Sequence, residues 1–190
     1  DRVLIESGDY FESPQVPPGV EVQGSGLDRT RISGTITIAD GVTLRDLDVR
    51  CNGGNGVEAQ GFRELLIERN RFSGCVAALS MEDAEELTIR NNIFSLSVTS
   101  SIDITGPMGG TLVNNTIQGT NAGDCGLVAR SSDGLTIKNN VIIDNKTGVC
   151  LSEATNSRWS YNIFFNNSIA SYDVVLLDDT DQEADPLLDA

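Results

Sequence analysis

Leu87-Thr88-Ile89-Arg90-Asn91-Asn92-Ile93-Phe94 and Leu135-Thr136-Ile137-Lys138-Asn139-Asn140-Val141-Ile142 are two copies of one short word in a chain of 190 residues. The word holds an apolar residue, two intervening positions, Asn, one more residue and a second apolar residue. Between Leu44 and Phe164 it occurs six times, at intervals of 22 to 25 residues. Aligning the copies gives three columns. The first holds Leu44, Ile67, Ile89, Leu112, Ile137 and Trp159; the second holds Leu47, Asn70, Asn92, Asn115, Asn140 and Asn162; the third holds Val49, Phe72, Phe94, Ile117, Ile142 and Phe164. A fixed period of this length built from short β-type runs is the pattern of a solenoid in which each repeat is one coil.

A second apolar stretch follows each copy: Val57/Ala59, Ala77/Leu79, Ile102/Ile104, Leu127/Ala129, Val149/Leu151 and the run Val174 to Leu177. Its alternation with polar neighbours marks strands with one buried face, so each coil has at least two strands. Upstream, Val20/Val22 precede Val42/Leu44 by 22 residues, and Ile36/Ile38 supply the second strand of that earlier coil. The expected fold is all-β, a single-stranded right-handed parallel β-helix of about seven or eight coils. One domain covers residues 1–190, with irregular coils over 1–40, regular repeats over 41–166, and a last coil with an acidic tail over 167–190. The chain begins almost inside the apolar run Val3-Leu4-Ile5, as though a leader or capping segment were missing.

The Asn column, Asn70, Asn92, Asn115, Asn140 and Asn162, reads as a structural ladder. Asn tolerates the left-handed or bridge backbone that a sharp corner needs. Amides one coil apart, about 4.8 Å, can bond up the column. Leu47 replaces Asn in the first aligned coil, where the ladder should end.

Acidic residues number 28 against 13 basic ones, a formal charge of −15. That balance repels phosphate backbones and anionic lipid, which argues against a nucleic-acid partner. No apolar run is long enough to cross a bilayer. The four cysteines fall about one coil apart in pairs. Cys51 and Cys75 nearly coincide in register and suit a coil-to-coil disulfide, whereas Cys125 and Cys150 are offset along the strand. With no C-x-x-C spacing and no His, the cysteines do not read as a metal site.

The word "LTIRNN", the opening Val16-Pro17-Pro18-Gly19-Val20-Glu21-Val22-Gln23-Gly24 and the closing Ala184-Asp185-Pro186-Leu187 resemble the right-handed parallel β-helix proteins of the pectate-lyase-like superfamily. The resemblance spans almost the whole chain and rests on core and corner residues. It implies the fold and an extracellular, cell-surface or periplasmic setting, and leaves the activity open among lyases, hydrolases, epimerases and structural proteins.

Candidate chemistry is sparse. Arg45, Glu68 and Arg90 form an alternating outward charge column that reads as a solvated face, and Arg90 and Lys138 are the candidates for gripping a sugar carboxylate. Asp46, Asp48 and Glu68 offer hard oxygen ligands for Ca²⁺, with Asp46 and Asp48 read as sharing a face, but Arg45, Arg69 and Arg71 stand near them. Glu58 and Asp103 point outward two coils apart, with Ser80 between, at roughly the upper limit for an inverting pair of carboxylates. Tyr161, Phe165 and Tyr172 are the outward aromatics left for stacking on a glycan. Sequons lie at Asn114, Asn145 and Asn166. The leading expectation is a secreted or cell-surface structural or adhesive module, glycan-binding or self-assembling, with another subunit or a polysaccharide as partner. The alternative is a polysaccharide lyase or other carbohydrate-active enzyme on an acidic polysaccharide, with Ca²⁺ as its only candidate cofactor.

Overall fold

A computed structural model describes residues 1–106, 108–120, 125–172 and 179–186, the side chains of 120 and 170–172 excepted. Every regular element among them is a β-strand. The strands stack into three parallel sheets of eight, nine and eight strands, named A, B and C in the order each coil visits them. Eight coils each give one strand to each sheet, and Gln182–Glu183 adds the ninth strand of sheet B. Coil 4 is typical, with Leu66–Glu68 in sheet A, Arg71–Ser73 in sheet B and Ala77–Glu82 in sheet C. The run Val174 to Leu177 lies outside the described residues; the last strand of sheet C is Ile169–Tyr172.

Apolar columns fill the interior. Ile67 stacks between Leu44 and Ile89, Phe72 between Val49 and Phe94, and Leu79 between Val57 and Ile102. All are shielded from solvent. The Phe72 and Phe94 rings lie 5.2 Å apart and 8° from parallel. Because each coil is only three strands around, a side chain is covered mainly by the coils above and below it, which makes stacking obligatory. The upstream repeat holds as read: Val22 pairs with Leu44 and Ile36 with Val57.

In coils 3 to 8 the corner between sheets A and B is two residues long. Its first residue, not the ladder Asn, takes the left-handed conformation: Asp46, Arg69, Asn91, Asn114, Asn139 and Tyr161 have φ between 53° and 59°. This corrects the sequence reading by one position. The ladder amides instead bond the chain across coils. Asn92 Oδ1 accepts from the backbone N–H of Asn70 at 2.9 Å and from its Nδ2 at 3.2 Å, while Asn92 Nδ2 donates to the Ile67 carbonyl at 2.8 Å. Asn115 and Asn140 repeat the pattern. At the first end the Leu47 N–H donates to Asn70 Oδ1 at 3.1 Å. At the other end Asp181 takes the place of a further Asn, accepting from Asn162 N and Nδ2 at 2.7 and 2.9 Å. The acidic tail therefore contains the last rung.

Two disulfides join successive coils, Cys51 to Cys75 and Cys125 to Cys150. The register offset of the second pair is present, since Val128 opposes Cys150. Cys125 nevertheless begins its strand with its Cα 5.9 Å from that of Cys150, inside the span of a disulfide, so the offset does not prevent the bond.

Candidate functional site

Two surfaces carry the charged residues that the sequence offers for chemistry. The first is the outside of the A/B corner in the early coils. Asp48, only 1% exposed at its side chain, is approached by Arg31, Arg50 and Arg71 at 3.4, 3.3 and 3.2 Å. Glu68, 3% exposed, is approached by Arg45, Arg69 and Arg90 at 3.5, 2.8 and 2.6 Å. Each carboxylate thus ties together arginines from three successive coils. Burial alone would raise the Glu68 carboxyl, but the Arg90 hydrogen bond and the charges of Arg69 and Arg90 outweigh it and hold Glu68 below its usual range. Asp46 is also held low, chiefly by its hydrogen bonds from Arg69.

This geometry corrects three expectations. The Arg45–Glu68–Arg90 column is no solvated charge ladder, because its glutamate is buried under guanidinium groups. Asp46 and Asp48 do not share a face: Asp46 sits at the left-handed corner and Asp48 inside sheet B. Asp46, Asp48 and Glu68 do not converge, and no group of three metal-ligating side chains occurs among the described residues. Arg90 is committed to Glu68, and Lys138 lies over the Tyr161 ring, 5.1 Å from its centroid.

The second surface is the outward face of sheet C. Val57 and Ala59 point into the core, so Glu58 and Gln60 point out; Leu79 and Met81 point in, so Ser80 and Glu82 point out. Parallel register sets Thr37, Glu58, Ser80 and Asp103 in one outward column and Gln60, Glu82, Thr105 and Arg130 in the next. A groove of about 400 Å³ runs over coils 2 to 4, lined by Thr37, Glu58, Ala59, Gln60, Phe62, Ser80 and Glu82. Asn55 Nδ2 donates to Glu58 Oε1 at 2.9 Å and Gln60 Nε2 to Glu82 Oε2 at 3.3 Å. Neither glutamate has a cationic partner among the described residues. Asp103 does, with Arg130 at 2.5 Å. Beyond it the outward column turns to Val128 and Cys150.

The expected pair Glu58 and Asp103 does lie on one column with Ser80 between them, but the groove adds Glu82, Gln60 and Phe62, which sequence reading passed over. Glu82 falls two residues past Ser80 and so on the same face; following the alternation one step further along that strand reaches it. Tyr161 and Phe165 are outward as expected, 56% and 37% exposed, but on the A/B corner and sheet B, remote from this groove in the coil sequence. The Tyr172 side chain lies outside the described residues. Of the sequons, Asn114 and Asn166 are exposed and Asn145 is buried, bonded to Asn167.

A family model described as the right handed beta helix region matches residues 33–180. The chain belongs to that family. No curated protein matches it. Among solved structures it is similar to the catalytic domain of a GH87 alpha-1,3-glucanase in complex with nigerose, at 15% identity and a TM-score of 0.59, covering 87% of this chain and 34% of that one. A GH87 alpha-1,3-glucanase catalytic domain in complex with tetrasaccharides follows at 14% identity and a TM-score of 0.58, covering 89% and 47%. The mannuronan C-5 epimerase A-module AlgE6 of Azotobacter vinelandii is at 16% identity and a TM-score of 0.47, covering 88% and 68%. At these identities the likeness is one of fold, and this β-helix spans less than half the length of the two glucanase domains.

Proposed function

We propose that this β-helix binds carbohydrate along the outward face of sheet C, in the groove of Glu58, Gln60, Ser80, Glu82 and Phe62. One observation carries the reading: the glutamates of this groove are left open to solvent without cations, while the buried acids of the A/B corner are consumed by arginines. Carboxylates with a free oxygen beside hydroxyl and amide side chains suit recognition of sugar hydroxyls. The glycan-bound glucanase domains, which share the fold, are consistent with such a surface. Two disulfides agree with an oxidising, extracytoplasmic setting. Calorimetric titration with a panel of soluble oligosaccharides tests the reading. Binding that falls about tenfold in Glu82→Ala, with an unchanged unfolding midpoint, supports it. Binding that survives Glu58→Ala and Glu82→Ala together overturns it.

The same groove admits a catalytic form of this reading. Strand spacing and rise put the Cα atoms of Glu58 and Glu82 about 8 Å apart on adjacent coils, compatible with two carboxylates flanking a glycosidic bond. Reducing-sugar release from neutral polysaccharides tests for hydrolysis.

A second reading, a self-assembling structural or adhesive module of a secreted or cell-surface protein, is favoured by the coil 1 end. There Val3, Leu4 and Phe11 are 47, 66 and 77% exposed, and Val16, Val20, Val22, Ile32 and Ile36 help line an apolar hollow of about 190 Å³. Strands open on one side with exposed apolar residues invite pairing. Sedimentation velocity across a concentration series checks it: association abolished by Val3→Asp supports assembly through this end, and a monomer at all concentrations argues against it.

A further inference from the structure

We infer that the ligand of the sheet C groove is an uncharged polysaccharide, with polyuronates excluded. The inference rests on the binding reading above and names its substrate class.

Both glutamates are held by amide side chains. The Ala77 N–H donates to Asn55 Oδ1 at 3.1 Å across the coil boundary, which fixes the orientation of the Asn55 amide. Its Nδ2 then holds Glu58 Oε1, leaving Oε2 without a partner among the described residues. Gln60 Nε2 holds Glu82 Oε2 at 3.3 Å, leaving Oε1 likewise without a partner among them. Each carboxylate is therefore positioned by a neutral donor and keeps one oxygen for an incoming hydroxyl. Nothing in this arrangement neutralises it.

Charge then selects the ligand. A polyuronate brings one carboxylate per sugar against Glu58 and Glu82, within a chain of net charge −15. A groove built for uronates would place a guanidinium fork where the sugar carboxylate falls. Here Arg130, on this face, is bound to Asp103, Arg63, next to the groove residue Phe62, is bound to Glu85 at 2.9 Å, and Arg31, Arg45, Arg50, Arg69, Arg71 and Arg90 are spent on the A/B corner. Sugar hydroxyls, by contrast, donate to a carboxylate without bringing charge, and the half-buried Phe62 offers the groove some apolar surface for a ring face.

The test is affinity electrophoresis and titration of the whole chain against a neutral α-glucan, a polyuronate and an amino-sugar polymer, at low and high salt. The expected result is binding of the neutral polymer that changes by less than about twofold with salt, since no ion pair forms, and no retardation by the polyuronate. Glu58→Gln should weaken the neutral polymer, and Glu82→Lys should admit the polyuronate. Preferential binding of the polyuronate, weakened by Glu82→Ala, overturns the inference while leaving the groove as a carbohydrate site. Binding confined to the amino-sugar polymer and lost at high salt also overturns it. Retention of none of the three removes both the inference and the binding reading.

Discussion

The A/B corner and the outer face of sheet C are built from the same backbone repeat and treat carboxylates in opposite ways. At the corner, Asp48 and Glu68 are buried and each is surrounded by three arginines, one from its own coil and one from the coil on either side. On sheet C, Glu58 and Glu82 stand exposed and are held only by amides. Where a carboxylate is stripped of water it must be paired, and the pairing ties coils together. Where it keeps its water, it costs the fold little and remains usable. The difference separates a region that stabilises the solenoid from a region that can bind.

The most severe way to break the closed region is to cut the ladder beneath it. Asn115→Ala removes the acceptor of Asn92 N and Nδ2 and the donor to the Ile89 carbonyl, all buried. A loss of about 3 kcal/mol in urea unfolding is expected. Next is Asp48→Ala, which leaves Arg31, Arg50 and Arg71 without their shared partner. Their partial exposure lowers the cost below that of a fully buried pair, to about 2 kcal/mol. Equal midpoints for Asp48→Ala and Glu58→Ala would erase the distinction between the two regions.

Acid sharpens it. Glu68 has its carboxyl held below the unfolded value, so its contribution is complete above the ordinary glutamate pKa of about 4.3 and is lost as the pH falls through the folded value. Unfolding midpoints measured from pH 6 down to pH 3 should fall less steeply in Glu68→Gln than in wild type. Tyr161 offers a change of opposite sign. It occupies the left-handed corner position where Asn91, Asn114 and Asn139 sit in earlier coils, so Tyr161→Asn relieves a backbone cost of about 1 kcal/mol, offset in part by the lost contact with Lys138. A net gain of about 0.5 kcal/mol in thermal unfolding is expected. Smallest of all, Glu58→Ala and Glu82→Ala should each leave stability within about 0.5 kcal/mol of wild type.

What the sequence made legible follows the same division. Core and ladder columns repeat at every coil, so Ile67, Phe72 and Asn70 could be placed by alignment alone. Outward residues do not repeat. Glu82 has Gln60 and Thr105 as its neighbours in register, and no periodic signal joins it to Glu58. The fate of Glu68 is hidden in the sequence because alternation places it outward, while two of the three arginines that bury it, Arg45 and Arg90, arrive from the coils before and after its own. Asp181 escaped for a different reason: it follows Asn162 by 19 residues, shorter than the ladder spacing elsewhere, and carries an acid in place of the amide. The left-handed residue precedes the ladder Asn by one, a distinction the sequence masks where Asn fills both corner residues, as in Asn91-Asn92 and Asn139-Asn140. Arg69-Asn70 and Tyr161-Asn162 separate the two roles.

Hydrogen exchange of the disulfide-intact chain, with and without a saturating neutral glucan, addresses the central claim most directly. Slowed exchange in peptides spanning 57–62 and 77–83, with 66–72 and 88–94 unchanged, is the predicted result. Protection concentrated at the A/B corner, with sheet C unaffected, would contradict it.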